Sequence, residues 1–189
     1  MTGLSTRGLD EAQVDRFREL TSIGAGHAAN ALAAMVGRPC SMDVPTVLAV
    51  DAVPDLSRDA QHDDPMGVFF ELQGGPGGRI ALIFPGEVRD RLVQLLVGGR
   101  SPDSEMAESA LRELGNILVS HVASSIGETT GTLVVPSVPE LVLHDAEAAF
   151  ANRLQPGEAN AGLRIETELG DRAGEIHGRL VYVPAPHEG

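Results

Sequence analysis
Apolar residues recur at helical spacing in two long stretches of this chain. In the first, Val14, Phe17, Leu20, Ala28, Ala31, Leu32 and Met35 follow at steps of three, four and seven, with a gap around two glycines. Asp10 with Gln13 reads as a capping box at its start, and Gly37 and Pro39 stop it. In the second, the stripe is Met106, Ala110, Leu111, Leu114, Ile117, Leu118 and Ile126. Ser101, with Pro102 at the first helical position, predicts its opening, and Gly127 or Gly131 its end. A short third helix over about 86–97 runs into Gly98-Gly99. Four further apolar runs predict two hairpins. Residues 67–73 and 79–85 flank Gly74-Gly-Pro-Gly-Gly78, and residues 163–169 and 175–183 flank a turn at Gly170-Asp171.

These elements occur twice. Phe17-Arg-Glu-Leu-Thr-Ser-Ile-Gly-Ala-Gly-His27 matches Leu111-Arg-Glu-Leu-Gly-Asn-Ile-Leu-Val-Ser-His121, with Glu19 on Glu113 and His27 on His121. Val44-Pro-Thr-Val47 resembles Val135-Pro-Ser-Val138 after a short gap. The expected architecture is one α+β domain over residues 1–189, built as a pseudo-twofold duplication with halves of about 10–98 and 103–184. Two long, equivalent helices pack on a mostly antiparallel sheet of about six strands drawn from both halves.

The second long helix carries the candidate chemistry. With Leu114 at the centre of the buried stripe, Glu113 lies about 100° to one side, and Ser109, Ser120 and Asn116 about 140°, 120° and 160° round on that side. Ser109, Glu113 and Asn116 therefore share one exposed strip with Ser120. Gly115-Asn116 is a local misfit in that helix, since Gly costs about 1 kcal/mol relative to Ala and Asn is a poor helix former. Such misfits within a strongly periodic element mark candidate functional positions. The strip lacks the nucleophile–base pair of a hydrolytic triad and the second carboxylate of a glycosidase. An amide can orient an attacking water, as in some phosphoryl-transfer enzymes, and a carboxylate can grip a cation on a partner. This is half an active site, presented to another protein.

Composition narrows the partner. Formal net charge is −13, and all 14 basic residues are arginine. Nucleic acid and anionic membrane are disfavoured, and Schiff-base or P-loop lysine chemistry is excluded. Aromatic residues make up only 3% of the chain, too few for a base-stacking platform. The single cysteine, Cys40, excludes an intrachain disulfide and a cysteine zinc cluster. No apolar run is long enough to span a membrane and residues 1–10 lack a signal-peptide core, so the expected location is the cytoplasm. His27 and His121 read as structural, with no metal site, and Gly24 and Gly26 as close-approach positions between helices. Gly74–Gly78 reads as a hairpin connection, and Asp59–Asp64 with His62 as a solvated loop.

Glu19…Ile23-Gly-Ala-Gly-His-Ala-Ala-Asn-Ala-Leu32 together with Glu113-Leu-Gly-Asn116-Ile-Leu resembles the CheC/CheX/FliY family of chemotaxis phosphatases, most closely its CheC-type members, over about residues 10–184. The family signature is Asp/Ser-x-x-x-Glu-x-x-Asn, once per half. The resemblance implies dephosphorylation of the phospho-aspartyl response regulator CheY. Asn116 would orient the attacking water and Glu113 would contact a lysine on CheY. Ser109 would open the motif. The chain would need no cofactor of its own, with Mg²⁺ brought by the regulator. The first half reads Asp15-x-x-x-Glu19-x-x-Ser22, and serine offers no planar donor–acceptor pair, so this first site is expected to be degenerate. With no FliN-like segment after Pro184, a full-length FliY is not expected. Two other readings stay open. One is a non-enzymatic adaptor that binds CheY or the receptor deamidase CheD; the other is a phosphatase for a response regulator outside chemotaxis.

Overall fold
In the computed structural model, which describes residues 11–49, 64–154 and 163–185, the sheet is organised around its first hairpin. Strands β1 (Cys40–Met42) and β2 (Thr46–Ala49) follow the long helix α1 (Glu11–Val36). Strands β3 (Met66–Gln73) and β4 (Gly78–Phe84) then form the hairpin. Side chains alternate across a strand, and here both faces are covered. Val68, Phe70, Leu72, Ile80, Leu82 and Phe84 join the main core, whereas Phe69, Ala81 and Ile83 join a smaller cluster on the reverse face. Cover on both sides explains why these strands read as nearly unbroken apolar runs.

Helices α2 (Gly86–Leu96) and α3 (Ser104–Thr130) lie with α1 on the main-core face. Edge strands β5 (Val135–Pro136) and β6 (Glu140–Val142) precede helix α4 (Ala146–Arg153), and strands β7 (Leu163–Asp171) and β8 (His177–Val183) complete the sheet. Helix α4 closes the reverse face with Ala146 and Phe150, whose ring centroid lies 5.4 Å from that of Phe69. The Arg153 guanidinium stands 5.2 Å over the Phe69 ring and also pairs with Glu140.

Eight strands stand in the sheet among the described residues, and every pairing is antiparallel. They fill six lanes, because β1 and β2 both lie along β7, and β5 and β6 both lie along β3. The expected count of about six is thus the number of lanes. Each outer lane is broken into two very short strands, which is one way natural sheets blunt an exposed edge.

The lane order interleaves the halves. Edge strands β1 and β2 pair with the hairpin of the second half, and β5 and β6 with the hairpin of the first. Strands β4 and β8 meet in the middle, with Leu82 opposite Leu180. The repeat is also cleaner than the sequence reading had it. Carried forward from Glu19 and Glu113 without a gap, the alignment sets Ser41-Met42 on Val135-Pro136 and Thr46–Ala49 on residues 140–143. Those are β1 on β5 and β2 on β6. The gapped match of Val44-Pro-Thr-Val47 to Val135-Pro-Ser-Val138 is therefore incorrect. Val44 and Pro45 belong to the loop before β2, and their counterparts are Val138 and Pro139.

Two helix starts bear on the sequence reading. Helix α3 opens at Ser104 with Asp103, not Ser101, as its cap. The Asp103 carboxylate accepts the Met106 N–H at 2.8 Å, a charge-assisted bond at the positive end of the helix dipole. The proposed cap at Asp10 lies outside the described residues, as do Asp59 and His62. Helix α3 ends at Gly131, in the left-handed region with φ 67°.

Candidate functional site on helix α3
Helix α3 is continuous from Ser104 to Thr130, so Gly115-Asn116 does not break it. The buried side is Leu111, Leu114, Leu118, Val122 and Ile126, as the periodicity predicts, but Met106 is exposed. Ser109, Glu113 and Asn116 are all exposed on the opposite side, while Ser120 is half-buried further along. Gly115 is fully enclosed against β3. A Cβ there would lie 2.6 Å from Val68 Cγ1, so glycine lets the helix settle onto the sheet beside Asn116. The misfit is a packing requirement of the helix that carries the strip.

The strip faces a groove whose far wall had no assigned role in the sequence reading. Ser109, Arg112, Glu113 and Asn116 line one side, and Pro136-Ser137-Val138-Pro139 the other. This connection between β5 and β6 is pinned to the sheet. The Ser137 N–H donates to the Glu71 carbonyl at 2.8 Å, and the Ser137 Oγ accepts the Glu71 N–H at 3.0 Å. Its tip, Val138, is 85% exposed. The ungapped repeat was the available signal for this wall, since it sets Val138 on Val44 and Pro139 on Pro45. Arg112 was also missed. It pairs with Glu108 one turn earlier at 3.1 Å and places a guanidinium beside Glu113 and Asn116.

The first copy of the motif sits elsewhere. Asp15, Glu19 and Ser22 are exposed on α1, with Asp15 held by Arg18 at 3.2 Å. Helices α1 and α3 run antiparallel. Arg16 reaches the Thr129 carbonyl, Gly24 abuts Val122 and Ser125, and the equivalent rings of His27 and His121 meet edge-on at 6.3 Å. The pseudo-twofold axis passes by that histidine pair. The two strips therefore lie at opposite ends of the helix layer and do not form one composite site. Gly24 is a close-approach position as expected, with a Cβ 2.9 Å from Val122 Cα, but Gly26 is exposed with open space around it.

The other polar clusters stand apart from the groove. Arg38 bridges Asp171 and Glu175, and Arg91 also binds Glu175, tying the end of α1 and helix α2 to the β7–β8 turn. Burial raises the Asp171 carboxyl, but the Ile176 and Glu175 N–H groups and the Arg38 guanidinium outweigh it and hold the group below its ordinary value. Burial, reinforced by Asp171, pushes the Cys40 thiol up, which suits an unreactive cysteine. Among the described residues no three His, Cys, Asp or Glu side chains converge as a metal site, and no helix is long and apolar enough to cross a membrane.

Comparison with known proteins places this geometry. The CheC-like family model matches residues 106–143, which hold both the strip on α3 and the wall opposite it. The CheY-P phosphatase CheC of Bacillus subtilis is 34% identical over 179 residues, covering 88% of this chain and 84% of that protein. Among solved structures, FliY of Thermotoga maritima superposes with a TM-score of 0.66 at 18% identity, covering 94% of this chain and 92% of that one. A chain of the CheX–CheY–BeF3–Mg²⁺ complex from Borrelia burgdorferi gives 0.58 at 14% identity, covering 86% of this chain and 96% of that one. Sequence likeness of that depth and extent, carried on a shared fold, makes this chain a member of the CheC-like family.

Proposed function
We propose that this protein accelerates hydrolysis of the phospho-aspartate on a CheY-type response regulator, and that the strip on α3 is the working site. The observation that carries the reading is the joint exposure of Glu113 and Asn116 on one helix face, opposite a fixed wall. A carboxamide offers both a donor and an acceptor, so Asn116 can hold a water in one orientation as it approaches phosphorus. Glu113 grips a cationic side chain of the regulator and sets the distance of the amide from the phosphoryl group. Ser109, one turn before Glu113, adds a hydroxyl at the mouth of the groove. The groove offers two carboxylates, Glu105 and Glu113, set two helical turns apart, with an amide and a hydroxyl between and beyond them, a poor donor set for a divalent ion of its own. The Mg²⁺ that neutralises the phosphoryl oxygens belongs with the regulator. The name of the B. subtilis relative supports this substrate.

Loss of phosphate from a purified, labelled phospho-regulator tests the reading. Wild type should accelerate it and Asn116→Ala should not, with the fold unchanged. The serine at position 22 favours a second reading, an adaptor that binds CheY or CheD without catalysis. Equal regulator binding by wild type and Asn116→Ala, with no acceleration by either, would select the adaptor.

A further inference from the structure
We infer that Arg112 is a further catalytic residue of the groove, its guanidinium contacting the phosphoryl oxygens as charge builds on them during hydrolysis. This rests on the function proposed above. The groove carries two carboxylates, Glu105 and Glu113, and among its lining residues Arg112 is the one cation. A phosphoryl group reaches it as a dianion. Two carboxylates with no cation between them would repel such a group, since like charges brought together across an interface oppose docking. The chain as a whole is acidic, with formal net charge −13, so the compensating charge has to be local.

Position gives the role. Residues 112 and 116 are one helical turn apart and about 40° round the axis, so the guanidinium stands beside the amide assigned to the water. Its Nη2 donates to Glu108 Oε2 at 3.1 Å, and Glu108 lies outside the groove lining. The anchor therefore holds the side chain without occupying the groove. A guanidinium has five N–H donors in a planar fork. One is spent on Glu108, and no other described residue takes a second. The side chain is 41% exposed, so the remaining donors are open to a docked group. Opposite, Pro136, Val138 and Pro139 give the wall an apolar surface. A seated regulator closes the groove against that wall and excludes water, and a charge fixed in a dry site acts more strongly than one in solvent. In the reaction, the water oxygen bonds to phosphorus as the bond from phosphorus to the aspartyl oxygen breaks. The bonding pair leaves with the aspartate carboxylate. Both water hydrogens end on dihydrogen phosphate, one on the entering oxygen and one passed to a phosphoryl oxygen. Arg112 stays protonated throughout and supplies charge and N–H donors alone.

The test uses the full chain and follows phosphate loss from a purified, labelled phospho-regulator across a range of regulator concentrations. Arg112→Gln should lower the maximal rate about tenfold or more, while the regulator concentration needed changes by less than about twofold. Arg112→Lys keeps the charge without the fork and should fall between Arg112→Gln and wild type. Glu108→Gln should cost less than Arg112→Gln, since it removes the anchor and leaves the cation. An ion pair of purely structural use would lose the same from either side. Equal rates for Arg112→Gln and Glu108→Gln, an Arg112→Lys chain no faster than Arg112→Gln, or a loss wholly in the concentration needed would each overturn the inference. Each leaves the proposed function intact as long as wild type accelerates phosphate loss and Asn116→Ala does not. A wild-type chain that gives no acceleration overturns the proposed function, and this inference with it.

Discussion
Gly115 lies so close to Val68 that a single added methyl would stand 2.6 Å from Val68 Cγ1 and 2.9 Å from its Cβ. Two effects of Gly115→Ala therefore oppose each other. Alanine would gain about 1 kcal/mol of helix propensity. Overpacking costs about 1–3 kcal/mol, and a β-branched valine has little rotamer freedom with which to yield. The packing term wins. Gly115→Ala should lower stability by about 1–2 kcal/mol in denaturant titration, and by lifting α3 from the sheet should slow phospho-regulator hydrolysis.

Gly24 and Gly26 lie two residues apart on α1 and should respond in opposite directions. Alanine at Gly24 would press a methyl within 2.9 Å of the Val122 backbone, so Gly24→Ala should destabilise the chain by about 1–3 kcal/mol. Nothing approaches a Cβ at Gly26, so Gly26→Ala should stabilise by about 0.5–1 kcal/mol through helix propensity alone. Thermal melts of the two variants read both signs.

The Asp171 carboxyl is 1% exposed and accepts from Arg38 at 2.9 Å. Its folded-state pKa lies below the ordinary 3.8. Folding is therefore favoured by this group above about pH 4, and the contribution is lost as pH falls through the lowered value. Asp171→Asn should be less stable than wild type at neutral pH, and the gap between them should close below pH 4. A gap that persists unchanged into acid would assign the loss to packing instead of charge.

Asn116 and Glu113 should separate kinetically. Asn116→Ala should reduce the maximal rate of phosphate loss at least tenfold, about 1.4 kcal/mol in the barrier, with little change in the regulator concentration needed. Glu113→Ala should raise the concentration needed, and more so as salt is lowered towards conditions where the wild-type contact is strongest.

Much of this architecture is legible in the sequence because its signals are long. The 26- and 27-residue helices carry several turns of periodicity, and the two hairpins carry glycine-marked turns. What is hidden is short. Strands β1, β5 and β6 have two or three residues each, too few for alternation to register. Helix α4 has eight residues and buries only Ala146 and Phe150, so no stripe announces it. Ser101-Pro102 drew the helix start away from Asp103, although a charged side chain makes the stronger cap. The exposed strip at Ser109, Glu113 and Asn116 follows from helix geometry alone. The opposing Val138-Pro139 wall does not, because it arrives through sheet pairing with β3, more than sixty residues earlier in the chain.

That pairing has a consequence for how the molecule comes to be folded. Strand β2 finds its partner in β7, and β4 its inner partner in β8, so the sheet closes only through contacts of very high sequence separation. Such topologies fold slowly, because loop-closure entropy is lost before the contacts repay it. During synthesis, the first half leaves the ribosome with β1, β2 and one side of β4 unsatisfied until the last hairpin follows. A chain cut within residues 98–103 should yield two fragments that are each unstructured and aggregation-prone alone, yet regain the native sheet when mixed. The two repeats behave as obligate partners of one another, a heterodimer written on a single chain.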